Sequence, residues 1–242
     1  MQVEYKQNIS ELANYLDSGQ LNRKRHWKKY QSSLGVARRT VQDDKDLEIL
    51  NKIDSHFYDK WHVLKIRSSI GIPLLILAIL IVQIFYIVTI SQNLLFLFGL
   101  VFFFVFSLAN FTLSHVIYHW LFGTALGIRF KSVFIFKSSF RKARYPFSLI
   151  GNLMPAFGIK YDTYSFLKAS KWKRTVMFIS SPLLTWIWFF INYLYLLTYF
   201  PSEMSFLILI GVFLVLLFVV NQVLSFYGKG DFWKASLDYR KY

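Results

Sequence analysis

The chain has 242 residues, 55% of them hydrophobic and 20% aromatic, with a formal net charge of +15. So apolar a composition excludes an ordinary soluble domain and points to an integral membrane protein. Cysteine is absent, which excludes disulfides and thiolate ligands and leaves His, Asp and Glu as the only side chains for a metal site.

Residues 1–69 read as a cytoplasmic, basic and amphipathic N-terminal region. A short helix is predicted from Glu4 to Asp17. The cluster Arg23-Lys24-Arg25-His26-Trp27-Lys28-Lys29-Tyr30 interleaves bases with aromatics, a pattern that can bind nucleic acid. Because apolar spans follow, the pattern is read as a solvated or lipid-facing cytoplasmic surface, and no nucleic acid is expected. A better helix is predicted from Asp43 or Asp44 to about Leu64. Leu47, Leu50, Phe57, Trp61 and Leu64 recur there at helical spacing, and acids stand in its first turn. No cleavable leader is expected, since the first apolar run is long enough to act as its own anchor.

Residues 70–242 read as a transmembrane domain with spans at about 71–90, 94–126, 175–200 and 204–226. Roughly 20 residues cross the hydrocarbon core, so each run suffices. Pro73 falls in the expected first turn of the first span, where proline is tolerated. The second run is longer than a span requires, and Ser107, Asn110, Thr112, Ser114, His115 and His119 gather in its second half. Polar groups at that depth need partners inside the bundle. The connection 127–174 is rich in Lys and Arg and has Asp162 as its only acid. A short strand is predicted over 128–136, and 146–159, apolar but broken by Pro and Gly, suits a β-hairpin or re-entrant segment. The bases near membrane ends place both termini in the cytoplasm by the positive-inside rule.

His115 and His119 stand at i and i+4, so a helix presents both imidazoles on one face, about one turn apart. That is the geometry by which a helix offers two nitrogens to one zinc ion. A third ligand must come from Asp231, Asp162 or Asp238. Asp231 is favoured because Gly228 and Gly230 free the backbone around it, and because the fourth span returns to the membrane side that the second reaches at His115 and His119. The alternative for Asp231 is an N-cap of a short final helix.

Together these stretches resemble the site-2-protease class of intramembrane zinc metallopeptidases, in particular its small bacterial and archaeal zincin relatives. His115-Val-Ile-Tyr-His119 stands where that class has His-Glu-x-x-His. Leu126-Gly-Ile-Arg-Phe130 looks like the strand that follows, and Pro155-Ala-Phe-Gly158 falls at the class's Gly-containing hairpin or re-entrant loop. Lys173-Arg174 with Ser180-Ser181-Pro182 resembles the start of the next core helix, and Asn221 with Gly228-Lys-Gly-Asp231 the element bearing the third ligand. The resemblance covers about half of the chain.

It implies a mainly α fold with four transmembrane helices, a site-2-protease-like core and a short β-hairpin or re-entrant segment between helices 2 and 3. It also implies zinc as cofactor and His115, His119 and Asp231 as ligands. The base position of the motif is Val116, which accepts no proton, and no acid occurs elsewhere in the 94–126 helix. The leading expectation is therefore a zinc-binding pseudoenzyme with no catalytic base, binding lipids and transmembrane segments of other proteins. Two alternatives stand beside it. One is an active peptidase with an unusual base, Asp162 or the substrate itself. The other is a metal-free membrane scaffold that binds lipid or a partner.

Overall fold

A computed structural model describes residues 2–40, 43–59, 64–92, 95–137, 155–227 and 230–237. Three helices come first: α1 (Gln2–Asp17), α2 (Arg23–Ala37) and α3 (Asp44–Asp59). Asn22 caps α2, its side chain accepting from the Lys24 N–H at 2.9 Å. The basic cluster is thus helical, with Lys24, Arg25 and Lys28 outward and Tyr30 inward. The α3 helix ends at Asp59, short of the predicted Leu64. Leu64 opens strand β1 (Leu64–Arg67) instead, and Trp61 lies outside the described residues. Leu64-Lys65-Ile66-Arg67 alternates as a strand does, and distant pairing decided its state.

Four helical stretches are long and apolar enough to cross a membrane: Ser68–Ser91, Phe96–Ala125, Lys171–Tyr199 and Pro201–Val223. This makes the chain a mainly helical, polytopic membrane protein. The first is α4 (Ser68–Ser91), which begins before the predicted boundary, so Pro73 lies in its interior and not in its first turn. The missing N–H of Pro73 leaves the Ser69 carbonyl without its usual bond. Helix α5 (Phe96–Ala125) has 30 residues, about 45 Å of rise against a hydrocarbon core of about 30 Å. Gly127 closes it with φ +86°, and the Ile128 N–H returns to the Gly123 carbonyl at 2.8 Å. A left-handed residue after a helix with that returning bond is a cap that glycine accepts without strain.

Strands β2 (Phe130–Lys137) and β3 (Pro155–Tyr161) follow and complete an antiparallel sheet of order β1-β2-β3. Leu64 pairs with Ile135 and Arg67 with Ser132 on one side of β2, while Lys137 pairs with Pro155 and Phe130 with Tyr161 on the other. Of the segment 146–159 expected to dip into the bundle, 155–159 is strand, and the rest lies outside the described residues.

Next come α6 (Thr163–Lys168), α7 (Lys171–Leu184) and α8 (Ile187–Tyr199). The third predicted span is therefore two helices rather than one. Pro182 inside α7 supplies no N–H, and the helix ends two residues later. The freed Pro182 carbonyl accepts from the Gln222 amide at 3.3 Å. A 3₁₀ turn, Pro201–Glu203, leads into α9 (Met204–Tyr227), and α10 (Asp231–Ser236) ends the described chain.

The packing falls into three clusters. In the span region, Tyr86, Ile90, Phe103, Trp186, Phe189, Leu196, Leu207, Ile210 and Leu214 are buried together. A polar chain runs through this region. The Asn110 amide donates to Gln83 at 2.8 Å, Gln83 to Asn192 at 3.0 Å, and Asn192 to Ser107 at 3.0 Å. These bonds join α4, α5 and α8 and give the polar residues of α5 the partners that depth demands.

The second cluster joins the N-terminal helices to the rest of the chain. Tyr5, Leu12, Tyr30, Leu50, Ile53 and Phe57 are buried with Phe166, Met177, Phe178 and Ala235. At its edge the Lys160 ammonium pairs with Asp54, which also accepts from the Thr163 hydroxyl. Burial lowers the Lys160 pKa, and the Asp54 carboxylate opposes that shift. The third and smallest cluster is Ile72, Leu75, Val116 and Val133.

Candidate metal centre

Three elements converge on one point. Helix α5 supplies His115 and His119, whose ring centroids are 4.8 Å apart. Helix α10 supplies Asp231. The His115 Nε2 lies 3.0 Å and the His119 Nε2 3.1 Å from the same carboxylate oxygen, Asp231 Oδ2. Helix α7 supplies the groups that orient the rings. The His119 Nδ1 lies 2.9 Å from the Met177 carbonyl, and the His115 Nδ1 lies 2.9 Å from the Ser181 hydroxyl.

The partners fix the tautomers. A carbonyl only accepts, so His119 carries its hydrogen on Nδ1. The Ser181 hydroxyl donates its own hydrogen to the His115 carbonyl at 2.6 Å. It therefore accepts from the His115 Nδ1–H. Both Nε2 atoms then face the Oδ2 of a carboxylate, an arrangement held together by Nε2 protons or by a metal ion in their place. Such a set calls for a positive charge at its centre. An imidazole held through Nδ1–H with Nε2 directed at a cation is the usual arrangement of a metal-bound histidine.

The dimensions suit an ion as well. Ligand atoms at about 2.0–2.2 Å from a tetrahedral zinc stand about 3.3–3.6 Å from one another. The nitrogen–oxygen separations of 3.0 and 3.1 Å are a few tenths short of that, and the three ligand atoms all lie within 4.8 Å of one another. The buried His-His-Asp cluster is therefore capable of coordinating a metal ion such as zinc. His119 and Asp231 are each 7% exposed, whereas the His115 side chain is 31% exposed. Among the described residues the cluster is most exposed at His115.

The second Asp231 oxygen, Oδ1, accepts from the Lys234 ammonium at 2.8 Å. Burial alone would raise the Asp231 pKa. The His119 and His115 imidazoles and the Lys234 charge outweigh burial and hold it well below the usual carboxylate range. The carboxylate is thus ionised and its Oδ2 is free to act as a ligand.

The other predicted residues lie elsewhere. Asp162 is the N-cap of α6, accepting from the Ser165 N–H at 2.9 Å and pairing with Lys131 at 3.3 Å. It is neither a third ligand nor a base at this cluster. Asp238 lies outside the described residues. Val116, at the position of the missing base, is 1% exposed and packs with Ile72, Leu75 and Val133, flanked by Trp120, Phe157 and Ile159. The sequence places Ser181 only within a stretch that resembles the start of a core helix. Its role on His115 had no local signal beyond its place next to Pro182. The Met177 carbonyl and Lys234 were not foreseen at all, since a backbone acceptor has no residue signature. No protein-family model, curated protein or solved structure matches this chain.

Proposed function

We propose that this membrane protein binds zinc through His115, His119 and Asp231 and has little or no peptidase activity of its own. The observation that carries this reading is the convergence of two Nε2 atoms and Asp231 Oδ2 while both Nδ1 atoms are committed to Ser181 and Met177. Zinc bound there would supply a Lewis acid able to activate a water. The chain's own residues hold the ligands and orient the rings, and His115 is the most exposed of the three.

The arrangement is consistent with an intramembrane zinc site, and it resembles that of the site-2-protease class. Support comes from the His-x-x-x-His pair on a span-length helix, the Asp that follows the last span and the sheet strands that follow α5 in the chain. The departure is Val116. In an activated-water mechanism, loss of the general base costs about 10²–10⁴-fold. Among the described residues the cluster contains no further His or carboxylate to stand in for it. With both termini on the cytoplasmic side, such a protein would bind transmembrane segments of others without cutting them, its basic faces resting on anionic lipid.

Metal analysis of protein purified in detergent tests the reading. The native chain is expected to carry one zinc per chain, and His115→Ala and Asp231→Ala are expected to carry none. Stoichiometric zinc surviving both substitutions would remove the ligand assignment. Cleavage of a model transmembrane substrate by the native chain would remove the pseudoenzyme reading.

A further inference from the structure

Helix α10 has six residues, too few to be stable by itself. Yet it must hold the Asp231 carboxylate against two imidazoles to within tenths of an ångström. It packs on α7 and α9, and a further tie comes from the N-terminal helices. Ala235 is buried in the cluster that α1–α3 share with α6 and α7. The Arg38 guanidinium, at the end of α2, donates from Nη2 to the Lys234 carbonyl at 3.0 Å. Lys234 is also the residue whose ammonium holds Asp231 Oδ1.

Arg38 is itself fixed on all sides. It is 8% exposed, and its guanidinium lies 5.3 Å from the Phe166 ring and 5.9 Å from the Phe178 ring. Its carbonyl accepts from the Arg174 guanidinium, which also donates to Leu167 and Ala169 at 3.0 and 2.8 Å. The Phe178 ring stands 6.1 Å from that of His119. One continuous set of contacts therefore runs from α2 to the centre, on α10 and on α7.

We propose that Arg38 is a positioning residue for the metal centre, through which the N-terminal helices set metal affinity by holding α10, and with it Asp231, in place. The proposal rests on the metal reading above. Arg38 touches no ligand atom and acts through the Lys234 carbonyl. The polar N-terminal region then becomes part of the site's construction, and a partner that pulled on α2 would weaken the site.

The test uses the full chain in detergent and cobalt(II) as the probe. Cobalt is followed by its visible d–d absorption and by competition with a chelator, and amide hydrogen exchange is read in parallel. Arg38→Gln is expected to weaken cobalt binding by about tenfold, the lower end of the loss seen when groups supporting ligands are removed. Exchange in 231–237 is expected to quicken while that around 115–119 stays slow, and Arg38→Lys is expected to recover part of the affinity. The native chain gives a second reading that needs no variant. Coupling is reciprocal, so loading with cobalt is expected to slow exchange at 36–40, the end of α2. Native affinity in Arg38→Gln, equal quickening of α5 and α10, or no response at 36–40 on loading the native chain would each overturn the proposal. Failure of the native chain to take up cobalt would instead remove the metal reading, and the proposal with it.

Discussion

Replacing Val116 by glutamate restores the letter of a zinc-peptidase motif and places a carboxyl where the structure has no room for charge. Val116 is 1% exposed and surrounded by Ile72, Leu75, Val133, Leu113, Ile117, Trp120, Phe157 and Ile159. Burying a neutral carboxyl there without a hydrogen-bond partner costs about 1–3 kcal/mol. At pH 7 the group must also be held protonated. With an unfolded pKa of about 4.3 that adds about 3.7 kcal/mol, giving about 5–7 kcal/mol in all. At pH 5 the protonation cost falls to about 1 kcal/mol, and the total to about 2–4 kcal/mol.

The sign follows from proton binding. The folded pKa of this glutamate is raised, so the folded state binds more protons than the unfolded one between the two pKa values, and stability falls as pH rises through that window. The native-minus-variant difference should therefore grow by about 1.4 kcal/mol per pH unit above about 4.5. Equilibrium unfolding of Val116→Glu and native protein in the same detergent, at pH 5 and pH 7, measures it. A variant as stable as the native chain at pH 7, or a difference that does not change with pH, would refute the reasoning. It would mean that position 116 opens onto water.

Other outcomes follow from single contacts. Lys160→Met leaves Asp54 buried without its cation and is expected to cost about 3–5 kcal/mol, with limited proteolysis of α1–α3 as the readout, while Lys160→Met combined with Asp54→Leu should recover much of that loss. Gly123→Ala would drive a Cβ into the Phe130 ring and is expected to cost about 1–3 kcal/mol by overpacking, read by thermal unfolding. Asp162→Ala removes the α6 cap, for about 1 kcal/mol. Burial works against the Asp162 charge, but the Ser165 N–H and Lys131 outweigh it and hold its pKa below the usual carboxylate range. The cap's contribution should therefore persist above about pH 4 and vanish as pH falls through the folded pKa, which a pH series of unfolding curves would show.

The features written into adjacent residues were the legible ones. His115 and His119 announce themselves because i, i+4 spacing is a geometric statement once the helix is known, and an apolar run of this length leaves little doubt about the helix. Asp231 came within reach from topology, since an even number of spans separates nothing: the second and fourth helices end on the same side. What the sequence hid was decided by contacts between distant residues. Strand β1 has four residues, and its partner in β2 lies far along the chain. Helix α2 shows few apolar residues, and only tertiary burial of Tyr30, Val36 and Ala37 makes its inner face visible. The Asp54–Lys160 pair joins positions 106 residues apart, and the Met177 carbonyl that orients His119 carries no side-chain signal. Pro182 was visible in the sequence, but not that the third span would end as one helix and resume as another.

The central claim is that two imidazoles and one carboxylate of this chain share a metal ion. X-ray absorption at the zinc edge, on native protein loaded with one equivalent in detergent, reads that shell directly. The account predicts nitrogen and oxygen neighbours only, at about 2.0–2.2 Å, with the outer-ring scattering of two imidazoles, and loss of that shell in His119→Ala. A shell without imidazole scattering, or one unchanged by His119→Ala, would contradict it.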